Sequence, residues 1–276
     1  MISWPRVPLT FSPRCMAVSG SVLVTRPAGQ AGKLCAGLAA AGYRPVHQPL
    51  LIVSPIALET AQQAMTDTLE SYAHCLFVSS NAARYGLECL LAGRSAWPCG
   101  VQCYAVGDST ADVLRAAGIA VQTPGVEMTS EGLLALPSLQ AVAGKRVLIV
   151  KGEGGRTALR EALAGRGAQV DELRCYRRLP PDMAPEALQR LLDEQQVACI
   201  LVSSGEALDN LRVFLEPADT AQPSGRHCAL VVPSARVAEQ ARAAGWRDVT
   251  VADNASDDAM LAALQEWDLT RERMGG

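Results

Sequence analysis

Two lobes of doubly wound α/β structure are the fold this sequence predicts, on three observations. Short apolar runs alternate with helical patterns along the chain, which indicates parallel strands buried on both faces. Four helical patterns end in a glycine that a valine-bearing strand soon follows. One strand–helix segment occurs twice.

The elements follow in order. SVLVT (21–25) reads as the first strand; its helix stops at Gly42 and a strand resumes at Val46. HCLFV (74–78) feeds a helical pattern, and VQCYAV (101–106) feeds one that stops at Gly118 before Val121. RVLIV (146–150) passes through a glycine-rich loop to a helix that stops at Gly167 before Val170. ACILV (198–202) and HCALVV (227–232) follow, and a helix stops at Gly245 before Val249. Glycine just past a helix end takes the left-handed cap, and the next strand re-enters the sheet.

The repeat pairs FVSSNAARYGLECLL (77–91) with LVSSGEALDNLRVFL (201–215). Ser79 falls on Ser203 and Ser80 on Ser204. Leu87, Leu90 and Leu91 fall on Leu211, Phe214 and Leu215, along one helical face. RAAG at 115–118 recurs at 242–245. Two proline-bracketed stretches break the alternation, VHQPLLIVSP (46–55) and ELRCYRRLPP (172–181). Each is too long for an ordinary αβ loop. They are expected to pair with each other as an inter-lobe connector.

Composition narrows the function classes. The chain has 276 residues, 49% apolar and 19% charged, as a globular protein has. A net charge of −3 gives no overall attraction for nucleic acid, so an anionic ligand must be caught locally. Nine scattered cysteines form no CxxC pair. Cys99 and Cys103 come closest, without a second pair or histidine cluster at zinc spacing. Each cysteine is expected to be a small core residue in a reducing cytoplasm. His47, His74 and His227 suggest neither a metal site nor a nucleophile triad. No apolar run reaches the roughly 18 residues of a membrane span. Pro5, Pro8 and Pro13 break the first 20 residues, which read as a loose tail rather than a signal peptide, with Met16 just before the first strand.

Ligands of such lobes bind outside the carboxyl ends of the strands. Candidate binding residues there are Thr25 and Arg26, then Ser80 and Asn81, then Gly107 and Thr110. The glycine-rich loop adds Lys151, Gly152, Gly154 and Arg156, and the later strands add Ser203, Ser204 and Ser234. Backbone N–H groups at helix starts bind anions, although each Ser or Thr alone reads equally as a helix cap. Six such ends with three cations suggest a ligand carrying several anionic groups. The loop VKGEGGRT also resembles a dinucleotide fingerprint, with Asp171 at ribose distance, but Thr157 stands in the third glycine position. A nicotinamide enzyme, and a two-lobed small-anion binding protein without catalysis, are the rival readings.

Several segments together resemble the uroporphyrinogen-III synthase family. They are LVTRPAGQAGKLCAGLAAAGYRPVHQPLLIV, FVSSNAARYGL, YAVGDSTADVLRAAGI, VLIVKGEGGRTALREALAGRGAQVDELRCYRR and DNASDDAMLAAL, spanning Val22 to Leu264. The resemblance implies two flavodoxin-like lobes joined by a two-stranded β connector. One lobe is then discontinuous, 21–48 plus 182–268; the other is 55–172, with connectors 46–55 and 172–181 and a tail at 1–20. It implies cyclisation of hydroxymethylbilane, a linear tetrapyrrole with carboxylate arms, to uroporphyrinogen III with ring D inverted and water lost. No cofactor and no metal are implied. The implied partners are that substrate and a transient contact with the preceding pathway enzyme, with no nucleic acid and no membrane, in a cytoplasmic monomer. Tyr176 matches the family tyrosine proposed to assist loss of the hydroxyl; read by itself it is a half-buried strand aromatic. Ser234, and the serines of VSSGE, depart from the family's commoner threonine-containing turns but keep a hydroxyl at a helix start.

Overall fold

The computed structural model describes residues 21–125, 127–155, 157–215 and 227–275. The tail expected at 1–20 lies outside the described residues. In chain order the first elements are β1 Ser21–Val24, α1 Gly32–Ala40, β2 Arg44–His47, β3 Ile52–Pro55, α2 Thr60–Asp67, β4 His74–Phe77, α3 Ser80–Leu90, β5 Gln102–Ala105, α4 Asp108–Ala116 and β6 Val121–Gln122. There follow α5 Ser130–Ala135, α6 Pro137–Gln140, β7 Arg146–Gly152, α7 Ala158–Gly165, β8 Gln169–Leu179 and α8 Pro185–Glu194. The last are β9 Val197–Leu201, α9 Gly205–Leu215, β10 Ala229–Val232, α10 Ala235–Ala243, β11 Val249–Val251 and α11 Asp257–Gly275. None of the helices is long and apolar enough to cross a membrane, among the described residues.

The chain divides into two compact units, Met1–Ile52 with Pro180–Gly276, and Val53–Leu179. The first unit holds a five-stranded sheet in the order β11-β10-β9-β1-β2, the second a six-stranded sheet in the order β3-β8-β7-β4-β5-β6. The ladders of β1 with β2 and β9, and of β10 with β9 and β11, are parallel. So are those of β4 with β5 and β7, of β5 with β6, and of β7 with β8. The strand orders β2-β1-β9-β10-β11 and β8-β7-β4-β5-β6 are one connectivity made in two chain orders. The first unit begins with the pair β1–β2; the second ends with its equivalent, β7–β8.

The apolar runs form central strands because both faces are covered. In the first unit Leu23, Ile200, Leu230 and Val232 enter one core, and Val22, Val24, Leu201 and Val231 the other. In the second, Phe77, Leu148 and Val150 face one way, and Leu76, Val147 and Ile149 the other. The four helix stops share one hydrogen-bond pattern. Tyr43, Ile119, Ala168 and Trp246 each donate their N–H six-to-one into the helix, at 3.0–3.1 Å. The glycine before each is left-handed, with φ of 90°, 76°, 82° and 97° at Gly42, Gly118, Gly167 and Gly245.

The repeat holds in the strands and slips at the helices. Phe77 and Leu201 are equivalent strand ends, facing Val150 and Val24 respectively. The cap of α3 is Ser79, whose Oγ accepts the Ala82 N–H at 3.0 Å, whereas α9 is capped by Ser204 through Ala207 N–H at 3.1 Å. The first unit thus spends one extra residue between strand and helix.

The two proline-bracketed stretches do pair with each other, through β3 and β8, and the Ile56 N–H donates to the Cys175 carbonyl at 3.2 Å; the rest of each stretch departs from the expectation. Val46 and His47 belong to β2, inside the first sheet. The stretch from Glu172 continues β8, which ladders with β7 from Gln169 to Tyr176. β3 lies beside β8 at the edge of that sheet.

Cys75, Cys103, Cys175, Cys199 and Cys228 are buried free thiols. Burial pushes Cys103 and Cys175 up to about 12 and Cys228 to about 11, and raises Cys75 and Cys199 as well. The folded state therefore keeps protons that the unfolded chain releases above a thiol pKa of about 8.5. Their contribution to stability is complete below that pH and is lost as pH rises toward the folded values. Urea unfolding in reductant should lose about 1 kcal/mol or more per pH unit above about pH 8.5. Equal midpoints at pH 7.5 and 10 would contradict these thiol environments.

Candidate active site

The second unit gathers its chemistry where β7 ends beside β8. Lys151 faces Arg174 across the ladder, but Gly152 faces Tyr176, so Cys175 is an extra residue in β8. Such a bulge re-aims the side chain that follows it. Cys175 and Tyr176 are accordingly buried in succession, with Tyr176 5% exposed. Gly152 makes room for the ring: a Cβ there would stand 2.5 Å from Tyr176 Cζ. Tyr85 stacks on the ring at 5.8 Å between centroids. Gly86 brings α3 close to the sheet, since a Cβ there would lie 2.4 Å from Val150 Cγ1. That approach carries the cap of α3 to the phenol, with Ser79 Oγ 3.1 Å from Tyr176 Oη.

Ser79, Gly152 and Tyr176 line a cavity of about 190 Å³, together with Lys151, Glu172 and Arg178. Lys151 Nζ donates to Glu172 Oε1 at 3.2 Å, with both side chains largely buried, and Arg174 reaches the other carboxylate oxygen at 3.7 Å. Gly154 and Gly155, both left-handed, turn the loop around the rim toward α7. Pockets of roughly 300–1,000 Å³ enclose drug-sized ligands. At about 190 Å³ this cavity has the size of an arm or one ring of a large ligand, not of the whole.

Of the candidate binding residues, the structure brings together Lys151, Gly152 and Gly154 with Tyr176. Arg156 lies outside the described residues. Ser80 and Asn81 are the first residues of α3, outside the cavity lining, because the cap falls on Ser79. Gly107 lies under Met128, 3.6 Å from where its Cβ would be. Thr110 is corrected: it is 2% exposed inside α4.

In the first unit Thr25 is corrected too, being fully buried with its hydroxyl donated to the Leu201 carbonyl at 2.8 Å. Arg26 is paired with Asp257 and bonded to the Ala255 carbonyl. Ser204 and Ser234 cap α9 and α10, and Ser203 lies between β9 and α9, partly exposed. Asp171 is no ribose ligand. It accepts from Tyr72 Oη at 2.7 Å and from Arg146 at 2.9 Å, near the start of β8.

Ser79, Glu172 and Arg178 also line the cavity, outside the candidate set. Ser79 immediately precedes Ser80 in the repeated VSS segment.

A family model described as Uroporphyrinogen-III synthase HemD matches residues 33–262. The chain belongs to the uroporphyrinogen-III synthase family. It is 36% identical over 254 residues to the uroporphyrinogen-III synthase of Escherichia coli K12, covering 89% of this chain and all of that one. It is 36% identical over 249 residues to that of Salmonella typhimurium LT2, with the same coverage. Among solved structures, uroporphyrinogen-III synthetase from Helicobacter pylori 26695 superposes with a TM-score of 0.57 at 14% identity, over 90% of this chain and 99% of that one, a likeness of fold. Family membership makes the chain a lyase of tetrapyrrole synthesis that cyclises hydroxymethylbilane to uroporphyrinogen III.

Proposed function

We propose that the cavity in the second unit receives the end of hydroxymethylbilane that loses its hydroxyl, with Tyr176 as the catalytic hydrogen-bond donor. The observation that carries this reading is the phenol oxygen fixed at the cavity wall by a bulge, a glycine seat, a stacked ring and a serine. Lys151 and Arg178 offer charge for a carboxylate arm, and the N–H groups around Gly154 offer further donors.

In the reaction the C–O bond breaks and the hydroxyl leaves as water, giving an azafulvene. Ring D attacks through its substituted carbon, and the spiro intermediate fragments and recloses. Closure through the free carbon gives the other isomer. Selection is therefore a matter of the shape in which the bilane is held, an orientation effect that can be worth several powers of ten. The two sheets share one connectivity, which supports a reading as two flavodoxin-like lobes, one of them discontinuous. A cytoplasmic monomer meeting the enzyme that supplies its unstable substrate completes the proposal.

Lys151→Ala tests the placement. Product affinity should fall by about tenfold, or about 1.4 kcal/mol, with kcat less affected, because backbone donors share the load. Calorimetric titration with product reads this directly. Unchanged affinity would remove the cavity from the binding site, and complete loss would refute shared capture.

A further inference from the structure

Ser79 is the hydroxyl beside the phenol, and its bonding is asymmetric. Its oxygen accepts the Ala82 N–H at 3.0 Å as the cap of α3, and lies 3.1 Å from Tyr176 Oη. Both residues line the cavity. A serine hydroxyl has one proton. At the positive end of a helix, with one lone pair already engaged by an amide, that oxygen is a poor acceptor for a second proton and a good donor of its own.

We propose that Ser79 is a positioning residue for the cyclisation. It donates to the Tyr176 oxygen, so the phenol's own proton is turned away from α3 and presented to the leaving hydroxyl.

The proton balance is closed. Tyr176 gives its proton as the substrate C–O bond breaks, water departs, and the substrate is left as the azafulvenium cation that balances the phenolate. The Ser79 O–H and the start of α3 stabilise the negative charge left on the phenol oxygen, a charge-assisted bond stronger than the neutral one before it. The proton that ring D loses when the macrocycle closes returns to the phenol. No external acid, oxidant or metal is required by this sequence of steps.

The proposal rests on the reading of Tyr176 as donor, and the test separates the two. Aspartate caps helices as well as serine does, but as a carboxylate it only accepts. Ser79→Asp should therefore keep the melting temperature while drawing the phenol proton onto itself. Its kcat should fall about 10- to 100-fold, the worth of a charged hydrogen bond. Ser79→Thr, which retains both cap and donor, should recover most of that loss.

The deciding measurement is kcat for Ser79→Asp in a Tyr176→Phe background. There the added loss should shrink to less than about threefold, because no phenol proton remains to be misdirected. The same fold-loss in both backgrounds would mean that the new charge acts on the substrate or the fold, and would overturn the proposal. An undiminished kcat in Ser79→Asp alone would overturn it while leaving Tyr176 as donor. An undiminished kcat in Tyr176→Phe alone would overturn the donor reading and this inference with it.

Discussion

Tyr176→Phe should lower kcat by roughly 10²- to 10⁴-fold, the usual contribution of a positioned proton donor. The ring should stay where it is. Its place is set by the bulge at Cys175, the seat at Gly152 and the stack with Tyr85, none of which uses the hydroxyl. Product affinity and melting temperature should therefore change little. The product should remain the type III isomer, because the held shape of the bilane chooses the attacking carbon. Stopped-flow turnover with chromatographic separation of the oxidised isomers measures both quantities. An unchanged kcat would reduce Tyr176 to a packing residue. A shift to the type I isomer would mean that the phenol also governs which carbon attacks.

Gly152→Ala should be the most damaging single methyl in the site. The added carbon would meet Tyr176 at 2.5 Å from Cζ, 2.7 Å from Cε2 and 2.9 Å from the hydroxyl oxygen. No real Cβ tolerates such contacts, and the ring is boxed in by Tyr85 and α3. Overpacking of this kind costs about 1–3 kcal/mol of stability. The larger effect is expected on the rate. A displacement of about 1 Å can cost about 100-fold, and the phenol oxygen would be pushed off its bond with Ser79. In a Tyr176→Phe background the stability loss should persist, since the ring is still present, while kcat should fall little further. Equal kcat for Gly152→Ala and the parent enzyme would show that the ring's seat is immaterial.

Both variants bear on a site that was half legible beforehand. Tyr176, Lys151 and Gly152 stood out because they flank a strand end and a glycine-rich turn, and the family resemblance marked the tyrosine. Ser79, not its neighbour Ser80, lines the cavity. Only the start of α3 distinguishes two adjacent serines, and the matching serines of the repeat are set one residue later, at Ser204. Thr25 looked like a ligand residue from its place after β1. It is a buried strut because Leu201, far along the chain, supplies an acceptor at that height. Asp171 sat at a plausible spacing from the glycines, yet pairing with Tyr72 and Arg146 takes it out of the site.

The sequence by itself determined the strands, the helices between them and the four places where helices stop. These depend on forces that act within a few residues: apolar periodicity, and the left-handed conformation that glycine adopts without strain at Gly42, Gly118, Gly167 and Gly245. Tertiary structure decided which strands became neighbours, so that one sheet connectivity arose from two chain orders and β8, besides pairing with β3, also laddered with β7. It also decided the aim of Tyr176. That aim depends on one surplus residue in a ladder and on Gly152, Tyr85 and Ser79, which are separated along the chain and meet only when α3 packs onto the sheet. Pairing partners and close contacts are long-range choices, made by packing and hydrogen-bond satisfaction over the whole unit, and no local pattern encodes them.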